Sequence, residues 1–286
     1  MTEAQPTQGP LPRQRWLSPE ALFVLGAVSQ YCGASIAHTL FDDAPAAAIG
    51  WLRVLGAVAV LLPLSIRRWR GWPRRDYAVA ALFGCITVGM NLTFYVAIDH
   101  LPLGSGVAIE FIGPISVAAA MTRTRRNAGA LVLAAGGVIL LSGTELGHST
   151  IGLVFIFLAA ALWSGYIVLG ARLAQRLHGT SALGFGLMVG LVLASPFGLT
   201  NAHRILSTPH VLLLGLGVGV LSSAIPYGID QTVLRRISMR RFAVLQALLP
   251  VVATVIGVVA LDQRPSGVEA VGIALVVAGV ATQDRS

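Results

Sequence analysis

This chain of 286 residues has no lysine, two cysteines and few charges: acidic and basic residues together make up 11 % of it. Soluble domains carry about 25 % charged residues. With 55 % hydrophobic residues, this chain has too little polar surface to face water on all sides, so a soluble globular fold is excluded. The cysteines, Cys32 and Cys85, lie inside apolar runs, which excludes a disulfide framework. The missing lysine reflects a GC-rich genome more than a function. No P-loop is present, so direct coupling to ATP is excluded. Neither G-x-S-x-G nor H-E-x-x-H occurs, and His38, His100, His148, His178, His203 and His210 are scattered without ligand spacing. The sequence calls for no enzyme activity, cofactor or metal. Residues 1–18 are polar and Pro-rich, without the apolar core of a signal peptide, and read as a disordered cytoplasmic tail.

Long apolar runs dominate the rest. A spanning helix needs about 20 apolar residues. Runs of that kind cover 19–40, 45–66, 77–98, 104–122, 128–144, 150–170, 181–200, 210–232, 241–261 and 266–282, with turn signals such as Asp42-Asp43-Ala44-Pro45 and Asp262-Gln263-Arg264-Pro265 between them. The expected fold is an all-α membrane protein of ten transmembrane helices. With both termini in the cytoplasm, seventeen of the twenty arginines fall on the inner side and two, Arg204 and Arg264, on the outer side. That bias follows the positive-inside rule and explains the net charge of +8 without nucleic acid as a partner.

The chain also repeats itself. Residues 90–114 align with 226–250 at an offset of 136, matching Asn91 to Tyr227, Glu110 to Gln246 and Pro114 to Pro250. Residues 128–138 align with 270–280 at an offset of 142, so six extra residues fall around Asp262–Ser266. Two five-helix halves, 19–144 and 150–282, must insert in opposite directions. An inverted 5+5 repeat around a central cavity is a plan of secondary transporters.

Arg53 and Glu110 stand inside apolar runs, where a charge costs about 2.5–3.5 kcal/mol on insertion scales and is paired or faces water. At ~1.5 Å per residue, Arg53 lies about 12 Å, Glu110 about 9 Å and Asn91 about 10 Å from the outer surface. Tyr95 lies one turn above Asn91. A carboxylate held between burial and a guanidinium can take up and release a proton during transport. The bland readings are a buried ion pair that fixes helix register and an interhelical hydrogen bond at Asn91. Tyr227, Gln246 and Asp230 are the second-half counterparts; Asp230 also suits an interfacial charge that snorkels to water. Gly113, Pro114 and Pro250 are expected to interrupt helices at corresponding positions of the two halves. Trp51, Trp163 and Tyr166 suit either cavity lining or packing. Gly186-x-x-x-Gly190 and Gly215-x-x-x-Gly219 allow close helix approach.

Gly89-Met-Asn-Leu-Thr-Phe-Tyr95, Leu101-Pro-Leu-Gly104, Val107-Ala-Ile-Glu110-Phe-Ile-Gly-Pro114, Leu52-Arg53, Ala34-Ser-Ile-Ala37 and Ala224-Ile-Pro-Tyr227 resemble the EamA-type branch of the drug/metabolite transporter superfamily, in particular its bacterial threonine/homoserine exporters. The resemblance spans most of residues 20–282. It implies an inner-membrane exporter of small amino acids or related metabolites, driven by protons, with the bilayer as its surroundings. Leu261 and Asp262 stand where the family has Gly and Glu, and Asp230 where it has Glu. Efflux of other solutes such as drugs or nucleosides, and a non-transporting membrane scaffold, are the competing readings.

Overall fold

The computed structural model describes residues 17–66, 69, 71–121, 124–145, 149–176, 179–234, 236, 245–246 and 248–282. The expected tail lies outside these residues up to position 16. Ser18 does not belong to a tail: its hydroxyl accepts from the Ala21 N–H and caps the first helix, with Pro19 in the first turn.

The described chain is helical. α1 is Pro19–Thr39, α2 Ala46–Ser65, α3 Arg74–Ile98, α4 Leu103–Glu110, α5 Ile112–Met121, α6 Arg125–Glu145, α7 Thr150–Arg176 and α8 Gly179–Leu199. A short α9, Ala202–Ser207, occupies what reads in sequence as a plain loop. α10 (Pro209–Gly219) runs through a π-helical segment, Val220–Ala224, into α11 (Ile225–Leu234). α12 is Leu248–Leu261 and α13 Gly267–Ala281. Six spans among the described residues are long and apolar enough to cross a membrane: 19–39, 46–65, 74–98, 150–170, 181–199 and 209–230. Leu103–Val117, Leu248–Leu261 and Gly267–Gly279 are shorter apolar helices.

The outer surface is apolar, as a bilayer requires. Leu64, Ile139 and Val259 are each more than 70 % exposed. The interior is held by close backbone approach. α6 lies along α13, α3 along α7 and α8, α2 along α8 and α10, α1 along α11 and α12, and α4 along α12. Where α3 meets α8, a Cβ on Gly84 would collide with the Gly186 backbone. Where α2 meets α10, a Cβ on Gly219 would collide with the Arg53 carbonyl, and one on Gly56 with the Leu216 carbonyl. Both glycine pairs noted in sequence thus sit at tight crossings, and the second brings α10 against the helix that carries Arg53.

The helix break expected at Gly113-Pro114 falls at Phe111, between α4 and α5. Proline at 114 has no N–H for the carbonyl four residues earlier, which is that of Glu110, the last residue of α4. The chain then bridges the gap, since Phe111 N–H bonds to Val107 O and Ile115 N–H to Phe111 O, each at 3.2 Å. Pro250 lies within the helical stretch Leu248–Leu261.

Candidate functional site

Arg53 is 3 % exposed on α2. Its Nε–H donates to Ser223 Oγ and its Nη2 to the Ser222 carbonyl, both at 2.8 Å. The guanidinium carbon lies 4.9 Å from the centroid of the Tyr95 ring on α3, a cation–π distance. Nε and Nη2 form one edge of the planar guanidinium. Among the described residues Nη1 makes no hydrogen bond.

The local fold explains why Ser222 and Ser223 receive this arginine. Proline at 226 brings no N–H, so in α geometry the Ser222 carbonyl would lose its partner. The helix widens instead, and Ile225 N–H reaches five residues back to Val220 O. The Leu221 carbonyl, passed over by this bond, accepts from Ser29 Oγ on α1 at 2.7 Å. The Ser222 carbonyl accepts from Arg53, and the Ser222 hydroxyl donates to Gln30 O at 2.8 Å. Gly33 on α1 leaves room for that hydroxyl, since a Cβ there would collide with it.

Asn91 is buried on α3. Its Nδ2 donates to Thr87 O at 2.9 Å and its Oδ1 accepts from the Tyr227 hydroxyl of α11 at 3.2 Å. Tyr227 packs near Tyr166, with ring centroids 6.1 Å apart, and Tyr166 stacks on Phe83 at 5.0 Å. Asp230 is half-buried one turn further along α11, within electrostatic range of Tyr31, Tyr166 and Tyr227. Tyr95 is fully buried, and its hydroxyl finds no hydrogen-bond partner among the described residues.

Glu110 is 7 % exposed at the end of α4. Among the described residues it makes neither a hydrogen bond nor an ion pair. Arg53, Glu110 and Asp230 all lie within electrostatic range of Tyr31, so the charges share one region without closing on one another. The register-fixing Arg53–Glu110 ion pair considered from sequence is not formed. Gln246 is buried in helical backbone, beside Leu245, which packs on the same core. Gly113 makes a close approach to α7, where a Cβ would collide with the Ala160 carbonyl. Trp163 packs edge-on against Phe111 at 5.0 Å. Trp51 packs against Gly198 on α8.

Sequence reasoning gave no site role to Ser222, Ser223, Pro226 or Tyr31, although Pro226 lies in a motif and a repeat it singled out. A signal existed for the first three: two serines followed after two residues by a proline, inside an apolar run, announce an unpaired carbonyl with hydroxyls beside it. Tyr31 is an aromatic on an apolar helix and carries no such sign.

Comparison with known proteins gives four results. Residues 150–282 match the EamA-like transporter family. The threonine/homoserine exporter RhtA of Salmonella typhimurium is 31 % identical over 267 residues, covering 92 % of this chain and 90 % of that protein. The same exporter of Escherichia coli K12 is 30 % identical with the same coverage. A solved crystal structure superposes with a TM-score of 0.60 at 22 % identity, covering 93 % of this chain and 96 % of that chain, and so shares its fold.

Proposed function

The chain belongs to the EamA-like transporter family, within the drug/metabolite transporter superfamily and similar to the threonine/homoserine exporters, and from that membership we propose that it exports small hydroxylated amino acids across the inner membrane in exchange for protons. It is a membrane transporter and not an enzyme. One observation carries the proposal: Arg53 and Glu110 are buried opposite charges that do not pair with each other, so each is available to a zwitterion. The substrate carboxylate meets Arg53, and Glu110, with Asn91 near by, takes the ammonium group or a proton. Tyr95, Tyr227, Gln246 and Asp230 line the route.

The architecture we propose is the inverted 5+5 repeat, halves 19–144 and 150–282, with both termini in the cytoplasm. Three contacts support it. Asn91 bonds Tyr227, which is its own counterpart at the offset of 136, as residues on a two-fold axis do. Gly137 approaches the Gly272 carbonyl while Gly279 approaches that of Ala130, and an offset of 142 turns the first contact into the second. Protons enter when Glu110 is unoccupied and leave when substrate displaces them, and the halves rock between the two states.

Flux into proteoliposomes tests this. Threonine or homoserine should move with a pH gradient imposed across the membrane. Glu110→Gln should fold and lose the dependence on that gradient. Arg53→Lys keeps the charge but not the fork, and should raise KM about tenfold or more. Vesicles with folded protein and no small-amino-acid flux would overturn the proposal.

A further inference from the structure

The π-helical segment has no equivalent in the first half. α3 runs as unbroken helix through Met90, the residue aligned with Pro226. The widened turn therefore answers a need of the second half alone, and what sits on it is Arg53. Of the two carbonyls left without an α-helical partner, that of Leu221 is taken by Ser29 and that of Ser222 by Arg53. Ser223 Oγ takes the adjacent Nε–H. Both bonds fall on one edge of the guanidinium, and they fix its plane and rotation.

We infer that this segment is a positioning device: Ser222 O and Ser223 Oγ hold the Nε/Nη2 edge of Arg53 so that its Nη1/Nη2 end is presented as a fork to the carboxylate of the transported amino acid. Pro226 is the residue that creates the acceptor. Ser223 is the one that squares the fork, and it acts through Arg53 without touching substrate. A carboxylate needs two parallel N–H donors, and a guanidinium free to rotate offers them only part of the time. Tyr95 stacks on the guanidinium at 4.9 Å and restrains it from a second direction. The inference rests on the function proposed above and adds to it how the anion-binding residue is aimed.

The test compares threonine with threoninamide, which lacks the carboxylate, in proteoliposome transport. Ser223→Ala should raise KM for threonine about tenfold, the scale of one charge-assisted hydrogen bond, with the maximal rate within about twofold. Ser223→Thr keeps the hydroxyl and should restore KM. Pro226→Ala returns an N–H to the Ser222 carbonyl, and should raise KM in the same way. Threoninamide should bind weakly to the wild type and respond to neither variant. A purely structural role would change both compounds alike and would overturn the inference, as would an unchanged KM in Ser223→Ala. If Arg53→Lys cripples threonine transport while Ser223→Ala and Pro226→Ala do not, amino-acid export stands and only the positioning role falls. If wild-type protein moves neither compound, the premise falls and the inference with it.

Discussion

Arg53 and Glu110 were legible in the sequence because membrane cost makes any charge in an apolar run conspicuous. Their partners were not. Ser222 and Ser223 are ordinary residues for a membrane helix, and the bonds they make reach across about 170 residues of chain. Tyr95 presents a sharper case. Its ring restrains Arg53, but its buried hydroxyl has no partner among the described residues, and an unsatisfied hydroxyl costs about 1–3 kcal/mol. Tyr95→Phe keeps the ring and removes that cost. Its thermal midpoint in detergent should equal or exceed that of the wild type, and a drop of several degrees would mean that the hydroxyl has a partner in the folded protein.

At the scale of elements, run length and turn residues located most helices, since α1, α2, α3 and α8 start and end within a few residues of the expected bounds. Deviations have local causes. Proline at 114 moves its break back to Phe111, because the carbonyl it orphans lies four residues earlier. Proline at 226 yields a π-helical turn, an outcome that apolar periodicity does not encode. Helix-to-helix distance was written in the glycines, although G-x-x-x-G spacing alone names no partner. Gly84 and Gly186 bring α3 and α8 into backbone contact, whereas Gly129 on α6 has open space around its Cα. Gly84→Ala should therefore destabilise the fold by about 1–3 kcal/mol or more, since backbone cannot yield as a flexible side chain does. Gly129→Ala should be neutral to slightly stabilising through helix propensity. Equal melting curves for the two variants in detergent would refute the tight α3–α8 crossing.

Across the whole molecule, the change of alignment offset from 136 to 142 marked a longer connection around Asp262–Ser266, but its purpose shows only in three dimensions. Asp262 adopts a left-handed conformation, φ 51°, which asparagine and aspartate tolerate better than most residues. The chain turns back so that Gln263 N–H bonds to Gly257 O at 3.1 Å. The Gln263 side chain then reaches into the other half of the protein, where its Oε1 accepts from Leu103 N–H at 3.0 Å. Leu103 opens α4 after Pro102, which offers no side-chain cap, so Gln263 satisfies an N–H at a helix start that its own sequence leaves bare. Two residues on, Ser105 Oγ donates to Glu269 Oε1 at 3.0 Å, and Glu269 also accepts from Ser266 N–H at the start of α13. The inserted turn thus anchors the first turn of α4, the helix that ends in Glu110, to the second half. Gln263→Ala should leave the global melting temperature within a few degrees and quicken amide exchange in the first turn of α4, while α3 and α12 exchange as before. Exchange at Leu103–Gly106 that does not change would show that the first turn of α4 is held without Gln263, and that the insertion serves only to span the two helices it joins.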